Sequence, residues 1–164
     1  IMASETTAAA GGTVGKLRFD PMAMLPFCGY NMADYFKHWL SIGTKTEASK
    51  LPQIFFVNWF RRDEDGRFMW PGYGENSRVL KWVFERTDGQ VEADKTAIGF
   101  LPAPGTLDID GLKVSEADMQ VLLSVDNDGW REAVPQIREH YAAFGDRLPQ
   151  QLGASLDSLE AALA

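Results

Sequence analysis

The sequence is poor in the residues that staple or metallate a small protein. A single cysteine, Cys28, stands among 164 residues, so no internal disulfide and no cysteine-rich zinc site can form, and the chain fits a reducing compartment. Histidine is nearly as scarce. His38 and His140 lie far apart and share no carboxylate or thiol spacing that makes a ligand set; His38 reads as the flank of a packed helix face. Positive charge is also in short supply: 16 lysines and arginines against 23 acidic residues leave a net charge of -7. Such a surface repels nucleic-acid polymers and anionic membranes, which excludes both as expected partners. No apolar run nears the roughly 18 residues of a bilayer span, and no basic-then-apolar leader is visible, so the chain reads as cytoplasmic. No G-x-S-x-G or other local nucleophile signature occurs.

What is present is ordinary globular material, 45% hydrophobic and 24% charged, in a length that suits one folding unit. The opening Ile1-Met2-Ala3 reads as the edge of a longer polypeptide. Thr6 to Lys16 is rich in alanine, glycine and threonine, offers little side-chain surface and reads as mobile. Leu17 and Phe19 alternate with charges before Pro21, as in a short half-buried strand. Tyr35, Phe36, Trp39 and Leu40 share one face of a helix over 31–42, with Asn31 or Asp34 available as its cap. Ile54 to Phe60 reads as a buried strand, and Asp65-Gly66 as the turn of a hairpin whose second strand is Phe68-Met69-Trp70. The acidic cluster Asp63-Glu64-Asp65 lacks the spaced ligands of a calcium loop and reads as a solvated turn.

A helix over 75–86 follows by period, capped by Asn76 or Ser77 and stopped by Asp88-Gly89; Ala97 to Leu101 suits one more strand. Beyond Ser115 the pattern turns helical to the end, with Pro135 expected in a first turn or at a kink. The aromatic density between Phe55 and Tyr73 has two readings. Aromatics on strands usually form core. Here, though, Trp59, Phe60, Phe68, Trp70 and Tyr73 run into Gly72-Tyr73-Gly74-Glu75-Asn76 at a helix start. A planar base could stack on such rings while the Asn76 carboxamide reads its edge.

These residues carry a specific likeness. Phe27-Cys28-Gly29-Tyr30-Asn31, Val57-Asn58-Trp59-Phe60-Arg61 and the run from Phe68 through Trp70-Pro71-Gly72-Tyr73-Gly74-Glu75-Asn76-Ser77-Arg78 to Leu80 resemble the C-terminal part of GTP-dependent phosphoenolpyruvate carboxykinase. The resemblance spans nearly the whole chain and is strongest from Ser4 to about Leu101. It implies conversion of oxaloacetate and GTP to phosphoenolpyruvate, CO2 and GDP, in gluconeogenesis or anaplerosis. It places Phe60, Phe68 and Tyr73 around guanine, Asn76 on the ring edge, Phe27 beside oxaloacetate, and Thr6, Ala8, Ala9, Gly11 and Gly12 in a lid over the site. Tyr73 stands where phenylalanine is usual in the family, adding a hydroxyl that needs a partner. The phosphate loop with its G-K-[ST] string, the Mn2+ ligands and the substrate arginines of the family lie upstream and have no counterpart here. Mn2+, and the Mg2+ that accompanies the nucleotide, are therefore expected to be held outside this chain, which alone should be inactive.

The fold class expected is α/β, with mixed short strands, flanking helices and a helical C-terminal appendage, as part of the carboxykinase C-terminal nucleotide-binding domain. Within 1–164, residues 6–16 are the expected lid, 54–90 the guanine-binding region and 115–164 the terminal helices. Expected partners are GTP or GDP, oxaloacetate or phosphoenolpyruvate, and the remainder of the parent chain. A reading from another class is a stand-alone, non-catalytic module whose exposed aromatics bind a protein.

Overall fold

The computed structural model describes residues 4–5, 17–18, 24 and 27–164. Two compact units are formed, one from Ile1–Leu51 with Asp128–Ala164 and one from Pro52–Asn127. Strands and helices are mixed, in agreement with the α/β expectation. The expected lid, including Thr6, Ala8, Ala9, Gly11 and Gly12, lies outside the described residues, as does Phe19.

In the first unit, β1 (Ser4–Glu5) pairs antiparallel with β2 (Leu17–Arg18). The helix α1 (Met32–Ile42) starts where expected, because the Asn31 carboxamide oxygen accepts from the backbone N–H of Ala33 at 2.9 Å. The same amide's nitrogen donates to the Phe144 carbonyl at 3.1 Å, tying the start of α1 to the C-terminal helical segment. Met32, Ala33 and Phe144 are buried there, with Tyr35, Phe36, Tyr141 and Leu148 against them. His38 is exposed at the side of this face, its ring centroid 6.5 Å from that of Tyr35.

The second unit is built on the helix α2 (Asn76–Thr87), whose Val79, Trp82 and Val83 recur at one face. Trp70, Trp82, Leu107 and Met119 form its buried core. The antiparallel ladder of β3 (Ala93–Thr96) and β4 (Gly99–Pro102) follows, then α3 (Glu116–Leu122), capped by the Ser115 hydroxyl, which accepts from the Asp118 N–H at 3.0 Å.

The chain then returns to the first unit through the long helix α4 (Asn127–Ala142), which carries Pro135 in its interior, past the first turn. After a 3-10 turn at Gly145–Arg147 it closes with α5 (Gln150–Ala162). Arg138 on α4 bonds Asp157 at 3.1 Å and Glu160 at 2.7 Å on α5, and Arg131 donates to the Leu163 carbonyl.

His140, half-buried in the last turn of α4, meets the Phe144 ring edge-on with centroids 5.1 Å apart. Its burial pushes the imidazole below its ordinary pKa, overriding the pull of a helix C-terminus toward the charged form. The unfolded chain therefore takes up this proton first, at roughly pH 6.5. Stability supplied by neutral His140 is complete above that range and declines as pH falls through it. Thermal melts from about pH 7.5 to about pH 5 should show a midpoint that drops on acidification, and His140→Gln should flatten the drop.

Two sequence expectations are corrected here. Ile54 to Phe60 is not a buried strand: it has no regular structure, and Ile54 is 92% exposed. Only Phe55 and Trp59 reach the core. The β-branched and aromatic composition supplies propensity, but no neighbouring strand among the described residues pairs with the segment, and a strand is made by pairing. The Asp65-Gly66 turn is present, with Gly66 at φ 80° and the Asp63 N–H donating to the Arg67 carbonyl at 3.0 Å. Its expected strands shrink to a single antiparallel bridge, Arg62 to Phe68.

Candidate functional site

The turn at 63–67 returns Phe68 beside Phe60. Their ring centroids lie 6.2 Å apart with planes at 63°, an edge-to-face pair. On Phe68 the Arg62 guanidinium sits 4.2 Å from the ring centroid, a cation-π contact that fixes one face of the ring. Beyond them the chain enters the core at Met69 and Trp70 and leaves it again through Pro71. Gly72, at φ 108° and ψ -160°, makes a turn that residues with a β-carbon rarely adopt. It is followed by a 3-10 turn over Tyr73–Glu75 that runs into α2.

These elements enclose a cavity of about 460 Å³ lined by Trp59, Phe60, Phe68, Trp70, Pro71, Gly72, Tyr73 and Asn76. All four residues expected around a base, Phe60, Phe68, Tyr73 and Asn76, therefore line one space. They are not sealed in a core, since Phe60 is 73% and Tyr73 94% exposed. A base held flat on both sides needs near-parallel faces. Phe60 and Phe68 at 63° make one corner instead, so the second flat face has to come from another lining ring, Tyr73 being the most open.

Asn76 does not cap α2 as expected. Its carboxamide oxygen accepts from the Trp70 indole N–H at 2.9 Å, and no side chain caps the helix. The helix start is pinned by charge instead. Arg78 bonds Glu75 at 2.6 Å and reaches the carbonyl of Asp108 at 3.1 Å, while Lys81 donates to the Asp108 carboxylate at 3.2 Å. The Glu75 hydrogen bond, with the nearby acidic charges, raises the Arg78 pKa above its ordinary value, and Lys81 with the Asp110 N–H holds the Asp108 carboxyl below its own. Sequence reasoning misses the Trp70 to Asn76 bond and the Arg62 cap on Phe68; no spacing rule marks either.

Phe27 belongs to the other unit and is 85% exposed, so it is no core residue. Among the described residues no group of three or more His, Cys, Asp or Glu is arranged to hold a metal ion. No helix among them is long and apolar enough to cross a membrane.

Comparison with known proteins bears on what would fill the cavity. Residues 1–162 match the family described as the phosphoenolpyruvate carboxykinase C-terminal P-loop domain. Three relatives named phosphoenolpyruvate carboxykinase [GTP] illustrate the likeness. That of Neocallimastix frontalis is 59% identical over 97% of this chain and 26% of its own length. That of Treponema pallidum strain Nichols is 56% identical over 98% of this chain and 26% of its own. That of Arthrobacter sp. strain FB24 is 52% identical over 99% of this chain and 27% of its own. The chain thus spans about a quarter of the length of the curated relatives it matches.

Proposed function

Since the chain belongs to the GTP-dependent phosphoenolpyruvate carboxykinase family, we propose that it is the segment of such an enzyme that recognises the guanine of GTP. The parent reaction is the conversion of oxaloacetate and GTP to phosphoenolpyruvate, CO2 and GDP. The observation that carries this reading is the convergence of Phe60, Phe68, Tyr73 and Asn76 on one open cavity. Stacking on such rings contributes roughly 1–3 kcal/mol per base and is tolerant of which base it holds. Choice of base therefore falls to Asn76, the lining side chain whose amide can pair with a ring edge.

In this reading Phe27 presents its ring edge to the carboxylate of oxaloacetate, and residues 6–16 supply the lid that excludes water from the enolate. The triphosphate, Mn2+ and Mg2+ are held by the remainder of the parent chain. Among the described residues no group of three or more His, Cys, Asp or Glu is arranged to hold a metal ion, and this segment's share in the reading is the base slot, the Phe27 contact and the lid. A cytoplasmic setting belongs to the same reading.

Trp59 and Trp70 line the cavity, so tryptophan fluorescence reports its occupancy. Titration of the full-length protein with GTP, GDP and ATP should give guanine-selective quenching. Asn76→Ala should reduce the preference for GTP over ATP by about tenfold, the value of one good hydrogen bond at about 1.4 kcal/mol, while leaving ATP binding little changed. Absence of any nucleotide response from folded protein would instead favour the interaction module, for which the exposed Ile54, Phe56, Phe84 and Phe100 supply apolar surface.

A further inference from the structure

The Trp70 indole can only donate a hydrogen bond. The Asn76 atom 2.9 Å from its nitrogen is therefore the carboxamide oxygen and not the amide nitrogen. Both partners are fixed in place. Trp70 is buried in the core with Trp82, Leu107 and Met119, and Asn76 opens a helix whose first turn is held by the Glu75 to Arg78 ion pair at 2.6 Å. Among the described residues the amide nitrogen of Asn76 has no protein acceptor.

A carboxamide offers a donor on one side and an acceptor on the other, and a half-turn exchanges them. The pairing edges of purines are related in the same way. A 6-oxopurine places an acceptor at position 6 and a donor at position 1, and a 6-aminopurine reverses both. A carboxamide that can turn over meets either edge; one that is held can meet only one of them in a given seating of the base.

We infer that Trp70 is a positioning residue for purine choice: by holding the Asn76 oxygen, its indole N–H leaves the amide nitrogen for the ligand and so selects a 6-oxopurine over a 6-aminopurine. The inference rests on the proposal that the cavity binds a purine base. It goes further in assigning the selectivity to a pair of side chains, one of which reads no base edge itself.

The test is nucleotide competition on the full-length protein with GTP, ITP and ATP. GTP and ITP share the 6-oxo edge and differ only in the 2-amino group, so the unaltered protein should prefer both to ATP. Trp70→Phe removes the donor and should lower the GTP-to-ATP and ITP-to-ATP preferences together by roughly tenfold, the factor one hydrogen bond supplies, while the GTP-to-ITP ratio stays fixed. Because Trp70→Phe also loosens a core, a second variant replaces the indole by its benzothiophene isostere, which keeps the ring system and lacks the N–H. It should show the same collapse of selectivity.

Uniform weakening of all three nucleotides with unchanged ratios would overturn the inference and assign Trp70 to packing alone. Selectivity lost in Asn76→Ala but retained in the isostere would overturn the role of Trp70 and leave guanine recognition standing. An unaltered protein without preference between GTP and ATP would overturn the guanine reading and the inference with it.

Discussion

Trp82→Ala is expected to cost the Pro52–Asn127 unit roughly 3–5 kcal/mol, the range for emptying an aromatic site in a packed core. Trp82 is 5% exposed and forms the centre of the cluster with Trp70, Leu107 and Met119. Phe55 meets its ring edge-on at 6.2 Å, and its indole N–H donates to the Thr106 hydroxyl at 3.0 Å. That hydroxyl donates in turn to the Ala103 carbonyl at 2.7 Å, so the loop before Leu107 hangs on the same contact. Domains hold only about 5–15 kcal/mol in total, so the loss removes a large share of the unit's stability. Urea melts followed by far-UV circular dichroism read it directly. Thr106→Val keeps the volume and leaves the indole N–H unpaired, which should cost about 1–3 kcal/mol. The two values separate packing from hydrogen bonding. A loss below about 1 kcal/mol for Trp82→Ala would show that the cluster is not the core. Nucleotide binding should fall with stability, because Trp70 belongs to the same cluster and also lines the cavity.

The helices of both units are legible in sequence for a simple reason: each carries its periodicity within itself, and several carry an end signal as well. Asn31 caps α1 and Ser115 caps α3 with their own side chains, and Gly89 ends α2 at φ 70°. The strands are less legible because they depend on a partner. Ala97 to Leu101 looks like a strand by composition, yet the ladder runs over Gly99–Pro102 against Ala93–Thr96. Ala-Asp-Lys-Thr shows no apolar alternation, and Ala97 and Ile98 are spent on the connection, where the Thr96 hydroxyl donates to the Gly99 carbonyl at 2.8 Å. Ile54 to Phe60 fails for the converse reason, having strand composition without a partner among the described residues. In the cavity the lining residues are legible as types, aromatics beside an asparagine. Their arrangement is not. An indole N–H that reaches six residues along the chain to Asn76 depends on the turn at Gly72 and on burial of Trp70, and neither is written in a local pattern.

That turn makes Gly72→Ala the second large effect. The two neighbouring glycines of Gly72-Tyr73-Gly74 look equivalent in sequence and are not. A β-carbon would meet no atom within 4 Å at either position, so steric crowding distinguishes neither. Backbone geometry does: Gly72 sits at φ 108°, whereas Gly74 has no positive φ. Alanine at position 72 must either keep that conformation, at about 1–3 kcal/mol of strain, or relax to negative φ and swing the Tyr73–Glu75 turn away from Trp70. Relaxation would break the 2.9 Å bond to Asn76 and remove Tyr73 from the cavity wall together. GTP affinity is therefore expected to fall at least tenfold, with selectivity over ATP falling alongside it, because one residue change undoes both the stacking face and the held amide. Gly74→Ala should leave affinity intact and stability unchanged or raised by about 0.4–1 kcal/mol through the unfolded chain. Equal behaviour of the two variants in paired GTP titrations and urea melts would show that the Gly72 conformation does not shape the site.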